Sequence, residues 1–451
     1  MILMSQPFKH LHFIKFKNLT KWYVSYYLNP YSIKSSFPLV SLKEIISPIQ
    51  EKIRLNDFDG RTKVVKKISF ADGKIHLREE NKTKMDLYKL RVNDLLVSKI
   101  NFHQGAISLN NIEDLVCTTH YQPYKIDTSK VLGEYLVLIL RSKTFLNFID
   151  YLRADGIKNE ATYEFIGGLE IPLPPLKIQK ELVSSYYKQV QLAEQQQLEV
   201  EKLEQKIEAT ICAQLGIKHI KMNIKKGLNI FSFNEITKWS VEYILKQSGL
   251  SSLKKSLYPL VPLNKIINYL QYGISEKSNV DSKGTIVLRM NNIQNRSIDL
   301  TDLKHCNFEV SNLNKSKVLL EKGDLLFNRT NSKELVGKTA VFDMDGEYSF
   351  ASYLIRLRFT KDVNPFYINY VLNSQIGRIQ IDLFSRQILG QANINSQEIR
   401  DILIPLPPLK IQNNIVDKLN NIVEEQDKLL IKSNENKTLA LKQFEMAVFS
   451  L

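Results

Sequence analysis

The stretch IPLPPLKIQ occupies residues 171–179 and recurs unchanged at residues 404–412, 233 positions later. Nine identical residues between flanks that mostly differ raise the question of whether the whole chain is doubled. Three further pairs answer it. The two tryptophans fall in KWYVSYYL (21–28) and KWSVEYIL (238–245), offset by 217. FPLVSLKEII (37–46) pairs with YPLVPLNKII (258–267) at an offset of 221, and VNDLLVSKI (92–100) pairs with KGDLLFNRT (322–330) at 230. The pairs keep their order while the offset grows in one direction, as expected of a tandem duplication whose second copy gained loop residues.

Each copy reads alike. Short runs rich in Val, Ile, Leu and Phe, such as TIVLRM (285–290) and YLIRLRF (353–359), alternate with Gly, Asn, Asp and Lys turns such as ADGK and EKGD, which marks a β-rich core. Helical stretches at 133–152 and 365–384 interrupt it, so the fold class is α+β. Proline cannot continue a helix but is well placed to start one, so each PLPP ends a domain and sets where the next helix begins. From Leu176 to Leu215 and from Leu409 to Leu451 there is neither Gly nor Pro. Apolar residues recur at Ile178, Leu182, Tyr186, Val190, Ala193, Leu203, Ile207, Ile211 and Leu215, and at Ile411, Ile415, Leu419, Ile422, Leu429, Leu441 and Val448. This spacing predicts two long helices with one apolar seam each, broken midway by the polar AEQQQ and KSNENK. At 1.5 Å per residue each is on the order of 60 Å long. Neither seam can be buried alone, so the helices are expected to pair, with Leu182, Leu203, Ile207, Ile211, Ile415, Leu419, Ile422 and Leu441 in the contact. Four segments follow: a domain over 1–171, a junction and helix over 172–217, a second domain over 218–404, and a second junction and helix over 405–451.

Charge and composition narrow the function. The chain has 451 residues, 43% of them hydrophobic and 24% charged, as in folded proteins, and 62 Lys plus Arg against 47 Asp plus Glu give a net charge of +15. Residues 176–216 hold five Lys and six Glu, and residues 409–451 hold six Lys and six acids, so the helices carry −1 and the remainder +16. A basic excess confined to the two β-rich domains suits a pair of polyanion-binding heads on a neutral spacer. Cys117, Cys212 and Cys306 show no metal-ligand spacing and are expected to be buried free thiols in a reducing compartment. The N-terminal MILMSQPFKHLHFIKFK lacks a continuous apolar region and a cleavage site, and no run approaches the ~18 apolar residues of a membrane span, so a cytoplasmic protein is expected.

The order of WSVEYIL, YGISEK, IVLRMNNIQNRSI, KGDLLFNRTNSKELVGKTA, NPFYINYVLNS and IPLPPLKIQ before a long helix resembles the target-recognition domain of type I restriction-modification specificity subunits. VKKISFADGKIHL, RVNDLLVSKINFHQGAI and IPLPPLKIQKELV repeat the series in the first half, so the resemblance covers nearly the whole chain. It implies a DNA-reading subunit without catalysis of its own. Each domain would read one half of an interrupted double-stranded DNA sequence, and the paired antiparallel helices would act as a ruler. Two methyltransferase subunits would dock on the helices, and motor-nuclease restriction subunits would join through them. S-adenosylmethionine, ATP and Mg²⁺ would belong to those partners, in an adenine-N6 methyltransferase and ATP-dependent endonuclease complex. The loops differ between copies at nearly every polar position, which predicts an asymmetric bipartite target. A recognition subunit of another methyltransferase-based defence system is the nearest alternative, and a coiled-coil scaffold binding protein is a more distant one.

No catalytic or metal-ligating set is expected. NPFY (364–367) resembles the Asn-Pro-Pro-aromatic motif of adenine methyltransferases, but Phe366 replaces the second proline and no Gly-rich cofactor loop accompanies it. It reads as a helix start. No Walker-type loop is present. For DNA contact the candidates in the second domain are Arg329, Asn331, Ser332 and Lys338, with Arg289, Asn291 and Asn292 on another polar loop, because Arg pairs bidentately with guanine and Asn with adenine. In the first domain the matching candidates are Lys99, Asn101, His103 and Gln104, with Lys66 and Lys67 as phosphate contacts. Gly105, Gly273 and Gly337 are expected to serve backbone geometry rather than ligand approach.

Overall fold

The computed structural model describes residues 32–152, 161–217, 253–275, 284–307, 315–388 and 391–449, with the isolated positions 230, 233 and 244. Both tryptophan stretches lie largely outside this range. The chain divides into two compact units, one of residues 1–196 and 431–451 and the other of residues 197–430, so each unit holds half of each long helix.

The first unit is built on an antiparallel sheet ordered Ile46–Pro48, Tyr121–Ile126, Leu95–Ser98, Ile107–Leu109. The second repeats it as Ile267–Tyr272, Leu354–Phe359, Leu325–Asn328, Thr339–Val341. The central strands Leu95–Ser98 and Leu325–Asn328 are buried on both faces, which is why they read as continuous apolar runs. Smaller sheets differ between units. The first adds Lys52–Ile53, Leu87–Leu90 and Leu115–Thr118, and the second adds Lys304–Cys306, Thr285–Leu288 and Tyr348–Phe350, the last pair parallel.

The repeated motif closes each unit. Glu170–Pro172 pairs antiparallel with Leu39–Ser41, and Leu403–Pro405 pairs with Leu260–Pro262 in the same register. The similar FPLV and YPLV segments of the two copies are thus the partners of IPLPP. Tyr135 and Tyr367, both fully buried, donate their hydroxyls to the carbonyls of Pro172 and Pro405. The final Gln of each motif is also buried. Gln179 donates to the carbonyls of Lys130 (3.0 Å) and Pro174 (2.8 Å) and accepts the Leu132 N–H (2.8 Å). Gln412 donates to Asp362 (3.3 Å) and Pro407 (2.9 Å) and accepts the Asn364 N–H (2.8 Å). Leu132 and Asn364 are the cap residues of the helices Gly133–Arg141 and Pro365–Asn373, so each glutamine ties the start of a long helix to the start of a domain helix.

The stretches 133–152 and 365–384 are each two helices rather than one. Gly133–Arg141 and Lys143–Leu152 meet at Ser142, and Pro365–Asn373 and Gln375–Phe384 meet at Ser374. Each serine hydroxyl donates backward, to Ile139 (2.6 Å) or Val371 (2.7 Å), and accepts forward, from Phe145 or Ile376 (both 3.2 Å). A serine that bonds both ways ends one helix and caps the next, which hydrophobic periodicity alone does not reveal.

The long helices run over Leu176–Leu215 and Leu409–Val448. In the second unit Leu203, Ile207, Ile211 and Leu215 share a core with Ile415, Leu419 and Ile422. In the first, Leu182 and Tyr186 pack on the domain core together with Phe444 and Val448. Leu441 is a correction: it is only half-buried, and Ala440, Phe444 and Val448 take the buried positions. The drift of a 3.6-residue turn against a regular spacing moves the seam by one position there. The polar middle does not break the helices either. Ser433 is fully buried and donates to the Ala193 carbonyl (2.9 Å), Asn436 bonds Gln196 (2.9 Å), and Gln426 bonds the Val200 carbonyl (3.2 Å) and Glu204 (3.0 Å). From Ser433 with Ala193 to Phe444 with Tyr186 in the first unit, and from Lys418 with Gln214 to Gln426 with Val200 in the second, partner numbers fall on one helix as they rise on the other, so within each unit the pairing is antiparallel.

Asn364 accepts the N–H groups of Phe366 (2.8 Å) and Tyr367 (3.4 Å) with Pro365 in the first turn, so NPFY is a capped helix start. Gly105 and Gly337 adopt φ of +78° and +81°, left-handed turns that side chains disfavour. Gly273 serves close packing, since a Cβ there would lie 2.3 Å from the Ala351 carbonyl oxygen. Among the described residues no helix is long and apolar enough to cross a membrane.

Candidate nucleic-acid interface

In the second unit the buried strand Leu325–Asn328 runs out into the loop of residues 329–338. Arg329 is pinned there by its backbone: its N–H donates to Tyr353 (3.0 Å), and its carbonyl accepts from Ile394 (3.0 Å). Its guanidinium lies over the Tyr272 ring, 5.0 Å from the centroid, with no hydrogen-bond or ion-pair partner for the side chain among the described residues. Tyr272 ends the strand Ile267–Tyr272, is 39% exposed, and accepts the Ser396 N–H on its hydroxyl (3.1 Å). Tyr269 and Tyr353 are also exposed. On the same loop Asn331 accepts the Ser332 N–H (2.8 Å), and the Ser332 hydroxyl bonds Glu334 (3.2 Å). Lys338 is half-buried, and burial, with the charge of Arg378, pulls its pKa below the usual lysine value.

The other loop is organised differently from the expectation. Asn292 is buried, donates to the carbonyls of Asp299 (2.8 Å) and Asp302 (3.0 Å), and accepts the Arg289 N–H (2.9 Å). Arg289 is committed to the Asp302 carboxylate (2.7 Å) and carbonyl (3.1 Å). Asn292 holds the loop's shape and is removed from the base-reading set, because an amide with its partners satisfied inside the protein has none left for a base edge, and Arg289 is drawn toward Asp302 through Nη2. Asn291 is exposed, and Arg329, Asn331, Ser332 and Lys338 remain accessible in part.

In the first unit Lys66 and Lys67 are consecutive on the strand Val65–Ile68, yet both are exposed. A register shift between Val65 and Lys67 turns both outward, with no acidic partner for either among the described residues. Phe70, 50% exposed, stands near the tip of the same hairpin. Lys99 extends over the Tyr88 ring at 5.6 Å, and Lys52 meets that ring at 5.3 Å. Asn101 and His103 are half-buried and Gln104 is exposed on a single turn closed by Gly105. No group of three or more His, Cys, Asp or Glu among the described residues could hold a metal.

Sequence reading missed the residues that fasten the second domain to the helices. Arg296 has φ +67°, where the first copy has Gly73 with φ +73° in its matching hairpin. The guanidinium forks onto Glu204 (2.7 and 2.9 Å) and reaches Gln426 (3.0 Å), one residue from each long helix. Burial opposes ionisation of Glu204, but Arg296 and Gln426 outweigh it and hold its carboxyl below the usual range. Glu208, one turn on, accepts the N–H of Gln375 (3.1 Å) at a helix start, and burial pushes its pKa up. In the first unit Glu445 accepts the Thr144 N–H (3.1 Å) in the matching helix. The available signal was an arginine in QNRS, standing where the repeat places glycine.

Residues 260–438 match the model of the type I restriction modification DNA specificity domain. Over these residues the chain is similar to that domain. The strand pair 260–262 with 403–405, the main sheet and the start of the long helix in the matched region all recur in the first unit, so the first half repeats the architecture of the matched region. The specificity subunit of the EcoKI type I restriction enzyme of Escherichia coli is 30% identical over 188 residues, 41% of this chain and 40% of that protein. The StySPI specificity subunit of Salmonella potsdam is 32% identical over 168 residues, 36% of this chain and 35% of that one. The chain spans less than half the length of the curated relatives it matches. A solved chain of a type I restriction-modification system shares the fold with a TM-score of 0.55 at 17% identity, over 93% of this chain and 99% of that one.

Proposed function

We propose that this protein is the sequence-specific DNA-binding subunit of a type I restriction-modification complex, without catalysis of its own. The observation that carries this reading is the doubled specificity-domain architecture that presents different uncommitted cations at one backbone position, Arg329 in one copy and Lys99 in the other, with Lys66 and Lys67 exposed on a neighbouring hairpin of the first. Cations without acidic partners suit phosphates and guanine edges, and different side chains on one scaffold suit two different half-sites. The target is then an asymmetric bipartite duplex sequence.

The same reading assigns the chemistry to partners. Two methyltransferase subunits dock on the chain, and restriction subunits join through them, bringing S-adenosylmethionine, ATP and Mg²⁺ with them. The complex works in the cytoplasm. Co-expression with the methyltransferase subunit, followed by mapping of N6-methyladenine across the host genome, tests the proposal. An interrupted two-part motif, altered in one half when one unit is exchanged, is the expected result. A stable complex that methylates no defined sequence would overturn it.

A further inference from the structure

Arg329 and Lys99 occupy the same place in the repeat, the eighth residue of KGDLLFNRT and of VNDLLVSKI. Each cation is seated on a tyrosine ring, at 5.0 and 5.6 Å. The tyrosines are not counterparts. Tyr272 ends the strand Ile267–Tyr272, whereas Tyr88 lies on Leu87–Leu90 of a different sheet. At the offset of 221, the residue matching Tyr272 is Glu51, which pairs with Arg91 (3.0 Å) and with Lys89. Two unrelated tyrosines therefore hold a cation at one backbone position, which shared ancestry of the packing does not explain.

Four other half-buried arginines of the second unit are committed to protein, Arg289 to Asp302, Arg296 to Glu204, Arg358 to Asp324 and Arg378 to the Val336 carbonyl, while Arg400 ends the short helix Ser396–Arg400 and stacks on no ring among the described residues. The guanidinium of Arg329 is not so committed, and its neighbour Asn328, 1% exposed, has no partner for either amide atom among the described residues. Stacking on a ring restricts the side chain's rotamers and orients its plane before any ligand arrives, and leaves the fork of N–H groups free. A planar fork matches the O6 and N7 acceptors of guanine in the major groove, whereas the ammonium of Lys99 is a point charge that cannot discriminate as sharply.

We propose that Arg329, positioned by Tyr272, reads a guanine in the half-site of the second unit, and that Lys99 on Tyr88 is its less selective counterpart in the first. This rests on the reading of the chain as a DNA-recognition subunit. The test is selection by the full-length chain, with its methyltransferase partner, from a library of randomised double-stranded DNA at low salt, using wild type, Arg329→Lys, Tyr272→Phe, Tyr272→Ala and Lys99→Arg. Wild type should enrich a two-part motif containing an invariant guanine. Arg329→Lys should relax that one position on the order of tenfold and leave the rest. Tyr272→Phe, which keeps the ring, should retain the preference, and Tyr272→Ala should relax the same position. Lys99→Arg should sharpen one position in the other half. A motif left unchanged by Arg329→Lys and Tyr272→Ala would overturn the inference and leave the DNA-recognition reading standing. Failure of the wild type to enrich any motif would overturn both.

Discussion

Replacing Gln179 with leucine tests why IPLPPLKIQ is written twice. The side chain is fully buried and makes three hydrogen bonds, two to carbonyls at 2.8 and 3.0 Å and one from the Leu132 N–H at 2.8 Å. Each bond contributes about 1 kcal/mol net, and an amide left without an acceptor costs about 1–3 kcal/mol more. Burying leucine in its place offsets roughly 1.5–3 kcal/mol of this. The expected net loss is about 3 kcal/mol, or on the order of 100-fold in an opening equilibrium. Because the chain forms two contact units, a global melting curve mixes them, so the readout is hydrogen exchange. Amides around Leu132 and in the first turns of the helix from Leu176 should lose about two decades of protection, while the second unit is unchanged. Gln412→Leu should do the converse around Asn364. Protection changed by less than threefold at Leu132 would refute the argument that the glutamine fastens helix to domain.

Four further outcomes follow from the same structure. Ser433→Ala, losing one bond to Ala193, should destabilise the first unit by about 1 kcal/mol, and Ser433→Leu by about 1–3 kcal/mol because the fully buried site leaves no room, as hydrogen exchange of the amides around Ala193 and Ser433 would show. Glu204→Gln should destabilise the second unit at neutral pH by about 1 kcal/mol, since the pair with Arg296 is partly open to solvent. A carboxyl with a depressed pKa stabilises above its unfolded pKa and loses that effect as pH falls, so the gap should close in acid; Glu208→Gln, whose parent carboxyl is raised by burial, should instead be more stable than wild type at neutral pH. Lys66→Gln and Lys67→Gln should each weaken DNA binding across all sequences and reduce the salt slope by about 0.9, in titrations over a range of salt. Cys117, buried and with its thiol pushed up to about 12, should resist alkylation of the native protein at pH 8 and react on unfolding.

Much of the architecture was legible in the amino-acid order because it rests on local chemistry. The duplication, the helix starts after PLPP, the cap at Asn364 and the apolar seams through Ile207 and Leu419 all follow from residue types at fixed spacing, which holds wherever the chain folds. What could not be read depended on partners distant in sequence. Asn292 and Arg289 have the right side chains for DNA, but Asp299 and Asp302 claim them. Arg296 looks like a surface turn residue until Glu204 and Gln426 arrive, 92 and 130 positions away. The nine repeated residues were recognisable at once, yet the reason for their last glutamine lies largely in a carbonyl and an amide 49 and 47 residues upstream. The sequence by itself determined that there are two copies, where their strands and helices begin, and which segments carry the charge, since propensity and periodicity act over a few residues. Only the tertiary structure decided which polar side chains are consumed inside the protein and which are left for a ligand, because a hydrogen bond is made by proximity in space.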